Sequence, residues 1–274
     1  MSCLDSFLFN LPLLYRSIVI ALSIALVAAL AYWKRQLTLS GCVAAIILGS
    51  GTLYILGFSG LSVYLFFLIT AGVIGKLSKK VRGVEQIQKK GGNRDASQVF
   101  SNGAPAFIAA LLYLATKNDA FLVVFVSCLA EACCDTWSGD IGVLSKKAPY
   151  SIITFTQVPP GQSGGVSVLG TFAGLLCSLL FGTLYISLFN FEAKGFFTVV
   201  ISSFFGMILD SILGATIQVH YYDEKKDLIT EREEVEGRKL PVYRGLKFFN
   251  NDRVNLTCNI FAFLLAMVFA LLFN

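Results

Sequence analysis

The sequence predicts an all-α integral membrane protein, a single polytopic bundle of about eight transmembrane helices. Of its residues, 55% are hydrophobic and only 14% are charged, whereas about a quarter of a soluble domain is charged. The apolar residues lie in long runs, and a run of about 20 residues spans the hydrocarbon layer. The first run follows Arg16 without a small-residue cleavage site, so we expect it to be a span and not a signal peptide.

Eight apolar segments have spanning length, although the third is short and the fourth opens with polar residues. They are predicted at residues 14–33, 39–56, 61–77, 99–116, 120–142, 166–189, 196–219 and 254–273. Of the 22 Lys and Arg residues, only Arg16, Lys117 and Lys194 fall at the termini or the even-numbered loops. Because cytoplasmic loops are enriched in Lys and Arg, the odd-numbered loops are predicted to be cytoplasmic and both termini to lie on the far side.

A weak internal similarity predicts two parallel halves of four spans each, residues 1–118 and 119–274. Residues 37–54 align with 166–185, and the seven-residue spacing of Asp95 and Asn102 matches that of Asp252 and Asn259. An even number of spans per copy gives parallel copies, related by an axis near the membrane normal. The second half also carries a mixed-charge cytoplasmic loop, 220–250, which we expect to be a surface excursion, with a lid as the alternative.

The fifth span carries three carboxylates, Glu131, Asp135 and Asp140. A carboxylate at the centre of a bilayer helix costs roughly 2.5–3.5 kcal/mol on insertion scales. Three within ten positions therefore predict a cation there, which is a metal ion, a Lys or Arg side chain, or protons in transit. Glu131 and Asp135 share a helix face, while Asp140 joins them only if the helix frays or bends at Gly139.

The seventh span adds a fourth intramembrane carboxylate, Asp210. It lies on one stripe with Gly206, Gly214 and Gln218, each four residues apart. Close helix packing explains the glycines but not Asp210. We therefore predict a Mg²⁺ site, because this ion takes one or two carboxylates together with substrate phosphates. The candidate ligands are Glu131, Asp135, Asp140 and Asp210, and the alternative is a structural ion pair with Arg94 or Lys146.

Two further stretches are candidates for binding phosphate. The Gly/Ser-rich turn P-P-G-Q-S-G-G-V-S (159–167) precedes a span, and such a turn presents backbone N–H groups to an anion. Arg94 offers a fork of donors that suits phosphate. Asp95 is either catalytic or an N-cap paired with Gln98, and Asn251-Asp252 has the same ambiguity.

These polar residues cluster on the predicted cytoplasmic side, which favours a site that opens to the cytosol and reaches a lipid. A transporter would more often carry such residues across the midplane. His220 is the only histidine, so a multi-histidine metal site is excluded, and we expect His220 at the membrane interface. The seven cysteines are predicted to be buried thiols that pack as small apolar groups.

Five ordered motifs, from about residue 37 to the C-terminus, resemble the transmembrane protein 19 family. They are G-G-N-R-D-A-S-Q-V-F-S-N-G (91–103), D-T-W-S-G-D-I-G (135–142), V-P-P-G-Q-S-G-G-V-S (158–167), L-D-S-I-L-G-A-T-I-Q (209–218) and N-N-D-R-V-N (250–255). This family of integral-membrane domains of unknown function includes plant and cyanobacterial phytyl-phosphate kinases. It is also distantly similar to CTP-dependent phytol and dolichol kinases and to CDP-lipid synthases.

The resemblance implies a phosphotransferase that moves a phosphoryl group from a nucleoside triphosphate, CTP or ATP, to a polyprenyl monophosphate with Mg²⁺. Catalytic roles are expected of Arg94, Asp95, Asp135, Asp140 and Asp210, and phosphate contacts of Asn102, Ser163, Gly164, Gly165, Asn251, Asp252 and Asn255. The chain departs from the family at Asp140, often Glu, and at Gly139, often Ser. The shorter carboxylate changes the ligand geometry.

The expected partners are membrane lipid and the prenyl phosphate, with no nucleic acid. An endoplasmic reticulum or plastid-type membrane is expected by analogy with the family. The alternative function is a transporter or lipid carrier, which predicts polar residues that continue to the far side of the bundle.

Overall fold

The computed structural model describes residues 2–78, 87, 93–189 and 192–272, and within these ranges it is a helical bundle. The helices are α1 (Cys3–Asn10), α2 (Leu13–Trp33), α3 (Leu39–Ser78), α4 (Ala96–Thr116), α5 (Ala120–Gly142), α6 (Val168–Leu188), α7 (Ala193–Thr216) and α8 (Asn251–Leu272). Of these described helices, α2 to α8 are long and apolar enough to cross a membrane. The prediction of an all-α, multi-pass membrane protein is confirmed.

Helix α3 contains both the second and the third predicted spans. A straight helix of its 40 residues would be about 60 Å long, twice the thickness of the hydrocarbon layer. The chain leaves the helical conformation at Gly57, where φ is 69° and ψ is −161°. A Cβ atom at this position would lie 2.3 Å from Oδ1 of Asp5. Gly57 therefore separates α3 into two arms and leaves room for Asp5 beside the break.

Asp5 of α1 caps the start of the second arm. Its Oδ1 accepts a hydrogen bond from the backbone N–H of Ser59 (3.1 Å), and its Oδ2 accepts one from the Ser59 hydroxyl (2.5 Å). The side chain is 2% exposed. Burial raises the pKa of Asp5, but hydrogen bonds from Ser59 and Ser2 outweigh it and lower the pKa below its ordinary value. The short helix α1, which the sequence analysis did not predict, thus anchors the break in α3.

Replacing Asp5 with Ala is expected to lower the free energy of unfolding by about 1–3 kcal/mol, because the cap is lost and the Ser59 N–H is left buried without its acceptor. Thermal unfolding in detergent measures the change. Asp119→Ala is the matched control, since Asp119 stands at the N-terminus of α5 but makes no side-chain capping bond. Equal melting temperatures for the two variants would contradict this role of Asp5.

Helix α5 is the central helix of the bundle. In the most apolar stretch of α5, 83% of the residues are buried inside the protein, compared with 17% in α2 at the periphery of the bundle. Helices α4, α6, α7 and α8 all pack against α5. Its bounds match the predicted fifth span, and it runs without a break to Gly142. Asp140 stands on the last turns of α5 and lines the same cavity as Asp135, without the fray or bend at Gly139 that the sequence analysis set as the condition.

In the part of the chain that the structure describes, seven short strands accompany the helices: β1 (Tyr150–Ser151), β2 (Gly165–Val166), β3 (His220–Asp223), β4 (Leu228–Thr230), β5 (Glu234–Val235), β6 (Arg238–Lys239) and β7 (Val242–Arg244). Strands β1 and β2 pair, as do β5 and β6, and a three-stranded antiparallel sheet has the order β4-β3-β7. Val219, Tyr221 and Leu240 form a small core for this sheet. The segment 220–250 is therefore a folded structure with its own buried side chains.

His220 is fully buried in β3 just beyond the end of α7, and its predicted position at the membrane interface stays a prediction. Its Nδ1 lies 3.0 Å from the carbonyl oxygen of Gln218 and donates a hydrogen bond to it. Burial, and next the positive charge of Arg244, lower the pKa of His220 to about 4. The ring is consequently neutral in the folded protein at pH 7.

We expect acid to destabilise the fold through His220. Between pH 6.5 and 4 the unfolded chain binds a proton on this ring that the folded chain does not, so the free energy of unfolding falls as the pH falls. The loss between pH 7 and pH 5 should be about 2 kcal/mol. Melting temperatures of the wild type and His220→Gln across this range measure it. An equally steep pH dependence in the variant would assign the effect to other groups.

Most of the basic stretch 76–90, which follows the third predicted span, lies outside the described residues, as do the glycines at 91 and 92. The predicted internal repeat stays a prediction. The starts of α4 and α8 do lie side by side, because the Ser97 hydroxyl donates a 2.7 Å hydrogen bond to Asp252.

Candidate functional site

A polar cavity of about 270 Å³ lies where the ends of α4, α5, α7 and α8 meet the Gly/Ser-rich turn. Predicted site residues from five separate stretches of the chain line it. They are Arg94, Asn102, Asp135, Asp140, Ser163, Gly164, Gly165, Asp210, Asn251, Asp252 and Asn255. The motifs are far apart in sequence, so only the folded bundle brings them to one place. Of the predicted site residues, Asp95 and Glu131 do not line this cavity.

The backbone of Arg94 is fixed by the link between α2 and α3. Its N–H donates to the carbonyl of Gln36 (2.9 Å), and its carbonyl accepts from the N–H of Thr38 (3.0 Å). A Cβ atom at Gly41 would lie 2.2 Å from the Arg94 carbonyl oxygen, so only glycine allows this approach. The guanidinium extends to Thr136 on α5, with 3.4 Å between Nη2 and Oγ1. Burial lowers the pKa of Arg94, while Cys133, Asp140 and Asp135 raise it.

Three carboxylates stand at the ends of two helices in the cavity wall. Asp135 of α5 and Asp210 of α7 are in side-chain contact. Asp140 accepts a 2.8 Å hydrogen bond from the hydroxyl of Ser78 at the end of α3. Asn255 of α8, with its amide nitrogen turned toward acceptors, donates to Asp210 Oδ2 over 3.3 Å. Two carboxylates in contact repel each other as anions, so this pair favours a proton or a bound cation.

The predicted metal ligands do not form one ready-made site. Among the residues that the structure describes, no three His, Cys, Asp or Glu side chains are grouped so as to hold a metal ion. Glu131 is 1% exposed and accepts a 2.9 Å hydrogen bond from Asn259 Nδ2. Glu131 stands one helical turn deeper than Asp135 and does not line the cavity, so its predicted role as a metal ligand stays a prediction. The remaining carboxylates are those that a metal could share with phosphate oxygens.

Asp95 caps α4. Its side chain accepts a 3.0 Å hydrogen bond from the N–H of Gln98, and the Gln98 side chain accepts one from the N–H of Asp95 over 3.3 Å. These reciprocal bonds form a capping box. Of the two alternatives given by the sequence, the structure shows the capping geometry, and Asp95 does not line the cavity.

The Gly/Ser-rich turn is held against α7. Gly164 has φ of +83°, and a Cβ atom there would lie 2.5–2.6 Å from Ala215. The Ser163 hydroxyl donates to Oε1 of Glu231, and Gln218 Nε2 donates to the same oxygen over 2.8 Å. Because the Ser163 hydroxyl donates its hydrogen bond to Glu231, this side chain links the turn to the segment 220–250. The turn leads into β2, and α6 begins after it with Ser167 as its N-cap.

Several cavity residues were missed by the sequence analysis. Gln98, Thr136, Ser138, Ser211 and Asn250 line the cavity beside the predicted positions, and they stand within the motifs already quoted. Glu231 follows β4 in the segment 220–250, and its N–H donates to the carbonyl of Ile87 over 2.8 Å. No local pattern distinguishes Glu231 from the other acids of that segment.

The charges of the cavity are unbalanced. Its described lining contains five carboxylates, those of Asp135, Asp140, Asp210, Glu231 and Asp252, and a single basic side chain, that of Arg94. Carboxylate oxygens at this density attract cations, and hard divalent ions prefer oxygen ligands. Arg94 and the asparagine amides of α8 supply donors for an anion. The arrangement can therefore hold a cation and a phosphorylated ligand together.

Comparison with known proteins gives several relatives of this chain. The chain is 31% identical over 212 residues to an uncharacterised membrane protein of Methanocaldococcus jannaschii, and the aligned region covers 75% of this chain and 84% of the relative. It is 28% identical over 270 residues to Protein PGR of Arabidopsis thaliana, and here the aligned region covers 88% of this chain and 91% of the relative.

A third relative is Protein VTE6, chloroplastic, also of Arabidopsis thaliana, at 30% identity over 228 residues that cover 80% of this chain and 61% of the relative. No solved structure matches the chain. The profile of the family described as "Integral membrane protein DUF92" matches residues 22–263. The chain therefore belongs to the DUF92 family of integral membrane proteins.

Proposed function

We propose that this protein is a membrane-embedded prenyl-phosphate kinase, which transfers a phosphoryl group from a nucleoside triphosphate to a polyprenyl monophosphate. The observation that carries the proposal is the cavity at the ends of the spanning helices, where five carboxylates face Arg94. The resemblance of the motifs to a family that includes phytyl-phosphate kinases supports the choice of substrate. The relation to Protein VTE6, chloroplastic is consistent with it.

In the proposed reaction an oxygen of the prenyl monophosphate attacks the γ-phosphorus of the nucleotide. A new P–O bond forms, the bond from that phosphorus to the bridging oxygen breaks, and the nucleoside diphosphate leaves with the electron pair. Such transfer depends mostly on positioning and on neutralising charge. Arg94 binds the acceptor phosphate, and the turn at Gly164 and Gly165 lies against the donor phosphates.

Mg²⁺ would neutralise the donor phosphates, held by one or two of the carboxylates of Asp135, Asp210 and Asp140 together with phosphate oxygens. The contact between Asp135 and Asp210 is the structural feature that fits a bound cation. Because Mg²⁺ usually keeps several waters and only one or two protein carboxylates, the absence of a closed three-ligand group among the described residues suits this ion.

The size of the cavity indicates which part of the nucleotide it receives. Its volume of about 270 Å³ is slightly below the range of pockets that enclose a drug-sized ligand. We therefore infer that the phosphates and their metal lie inside the cavity, while the nucleoside lies outside it. We assign this face to the cytoplasm, because the excess of Lys and Arg lies on the same side.

The test is a direct assay of purified protein in detergent with Mg²⁺. Phytyl, farnesyl and geranylgeranyl monophosphate are each offered with ATP, CTP, GTP and UTP, and mass spectrometry detects the prenyl diphosphate. A nucleotide-dependent diphosphate is the expected product. Its absence with every pair, from protein that still unfolds cooperatively, would overturn the proposal, and nucleotide-independent flux in proteoliposomes would then establish the transporter.

A further inference from the structure

We propose that a second, apolar cavity between α2, α3 and α4 binds the part of the isoprenoid chain nearest to the phosphate. This groove has a volume of about 100 Å³ and is continuous in its lining with the acidic cavity. Arg94, Gln98 and Asn102 line both spaces. The inference rests on the proposed function for the identity of its ligand and adds where that ligand's chain lies.

Arg94 stands at the junction of the two cavities. Its guanidinium carbon lies 4.9 Å from the centroid of the Phe67 ring, which belongs to the wall of the groove. Its Nη2 atom lies 3.4 Å from Thr136 Oγ1, which belongs to the wall of the acidic cavity. A phosphate held by Arg94 thus has carboxylates and polar groups on one side and apolar side chains on the other. This is the polarity of a prenyl phosphate at its first carbons.

The groove offers almost no polar group to an occupant apart from the three residues at the junction. Its remaining walls come from apolar residues such as Ile24 of α2 and Leu48 and Leu65 of α3. The hydroxyl of Tyr64 donates a 3.0 Å hydrogen bond to the carbonyl of Gly103, so its ring faces the groove while its polar atom is satisfied. An apolar occupant fits this lining, because a polar one would lose hydrogen bonds to water.

The volume limits how much of the chain the groove encloses. About 100 Å³ equals roughly three water-sized groups at 30 Å³ each, so only the carbons next to the phosphate are held. The rest of the chain leaves toward the lipid beside α2, the least buried of the spanning helices. The groove therefore fixes the head of the substrate and permits different chain lengths.

The first test locates the chain on the wild-type protein. A geranylgeranyl monophosphate with a diazirine in its first isoprene unit is photolysed with the protein, and the labelled peptides are identified by mass spectrometry. Labelling of α2, α3 and α4 that unlabelled geranylgeranyl monophosphate competes away is expected. Competed labelling confined to other helices would overturn the inference, as would the absence of any competed labelling.

The second test fills the groove. Ala45 lines it, whereas Val43 on the same helix is 53% exposed and points away from it. Ala45→Phe is expected to raise the Kd for geranylgeranyl monophosphate about tenfold or more, while Val43→Phe leaves it within about twofold. Equal affinities for the two variants, both shown to be folded by thermal unfolding, would contradict the inference.

The two proposals fail in distinguishable ways. Competed labelling of the groove without any diphosphate product would leave the chain-binding groove intact and remove the kinase. Diphosphate formation by the wild type and by Ala45→Phe with the same KM for the prenyl phosphate would leave the kinase intact and remove the groove.

Discussion

Replacing Asp135 with Asn is expected to reduce phosphoryl transfer by about a hundredfold to a thousandfold, the range found when one preorganised electrostatic group is removed from a transition state. Asp135 lies at the cavity end of the central helix and contacts Asp210. Its amide replacement keeps the shape but removes the charge that would hold Mg²⁺. The rate of prenyl diphosphate formation under saturating substrates measures the effect.

The control for this experiment is Asp119→Asn, at the opposite end of the same helix, where Asp119 is exposed. Its transfer rate should equal that of the wild type. The melting temperature of Asp135→Asn should not fall, because removing one of two contacting negative charges relieves repulsion. Full activity in Asp135→Asn would remove Asp135 from the metal site and would require another ligand pair, such as Asp140 with Asp210.

Replacing Gly164 with Ala is expected to lower transfer by roughly a hundredfold, the penalty typical of a displacement of about 1 Å within a catalytic site. The added Cβ atom would lie 2.5–2.6 Å from atoms of Ala215, two of which belong to the backbone of α7. Because backbone cannot yield as a flexible side chain does, the turn must move away from α7. Steady-state kinetics should show the loss in kcat and in the KM for the nucleotide.

Gly237→Ala is the matched control for Gly164→Ala. Gly237 also has a positive φ, +75°, but its Cβ atom would meet nothing within 4 Å. The strain of a left-handed backbone is the same in both variants, about 1–2 kcal/mol. Only Gly164→Ala displaces the Gly/Ser-rich turn from α7. If the two variants lose activity equally, strain or folding explains the result and the contact with α7 does not.

How well the sequence predicted a feature depended on the distance along the chain over which the interactions of that feature act. The bounds of α5 followed from hydrophobicity alone, because a buried apolar helix needs no partner to be recognised. The capping of α4 by Asp95 was foreseen as one of two alternatives, since a capping box is local in sequence. Glu131, although predicted as a metal ligand, does not line the cavity, because helical periodicity gives the face of a helix and not the depth at which a cavity ends.

Glu231 and Asp5 show what sequence patterns do not contain. Glu231 joins the Gly/Ser-rich turn from 68 residues away, through Ser163. Asp5 caps the second arm of α3 from 54 residues away. Neither residue stands in a pattern that distinguishes it from other acids, so their roles become visible only when the helices have packed.

The long apolar runs are enough to predict a multi-pass helical membrane protein, because helices satisfy their own backbone hydrogen bonds in the hydrocarbon layer. The acids in the spans can also be identified from the sequence, because charged residues are rare in such segments. The folded bundle shows which of those acids share a cavity and that α3 breaks at Gly57. It also shows that Arg94 lies between a polar cavity and an apolar groove. These relations depend on packing between helices distant in sequence, which local hydrophobicity and spacing do not encode.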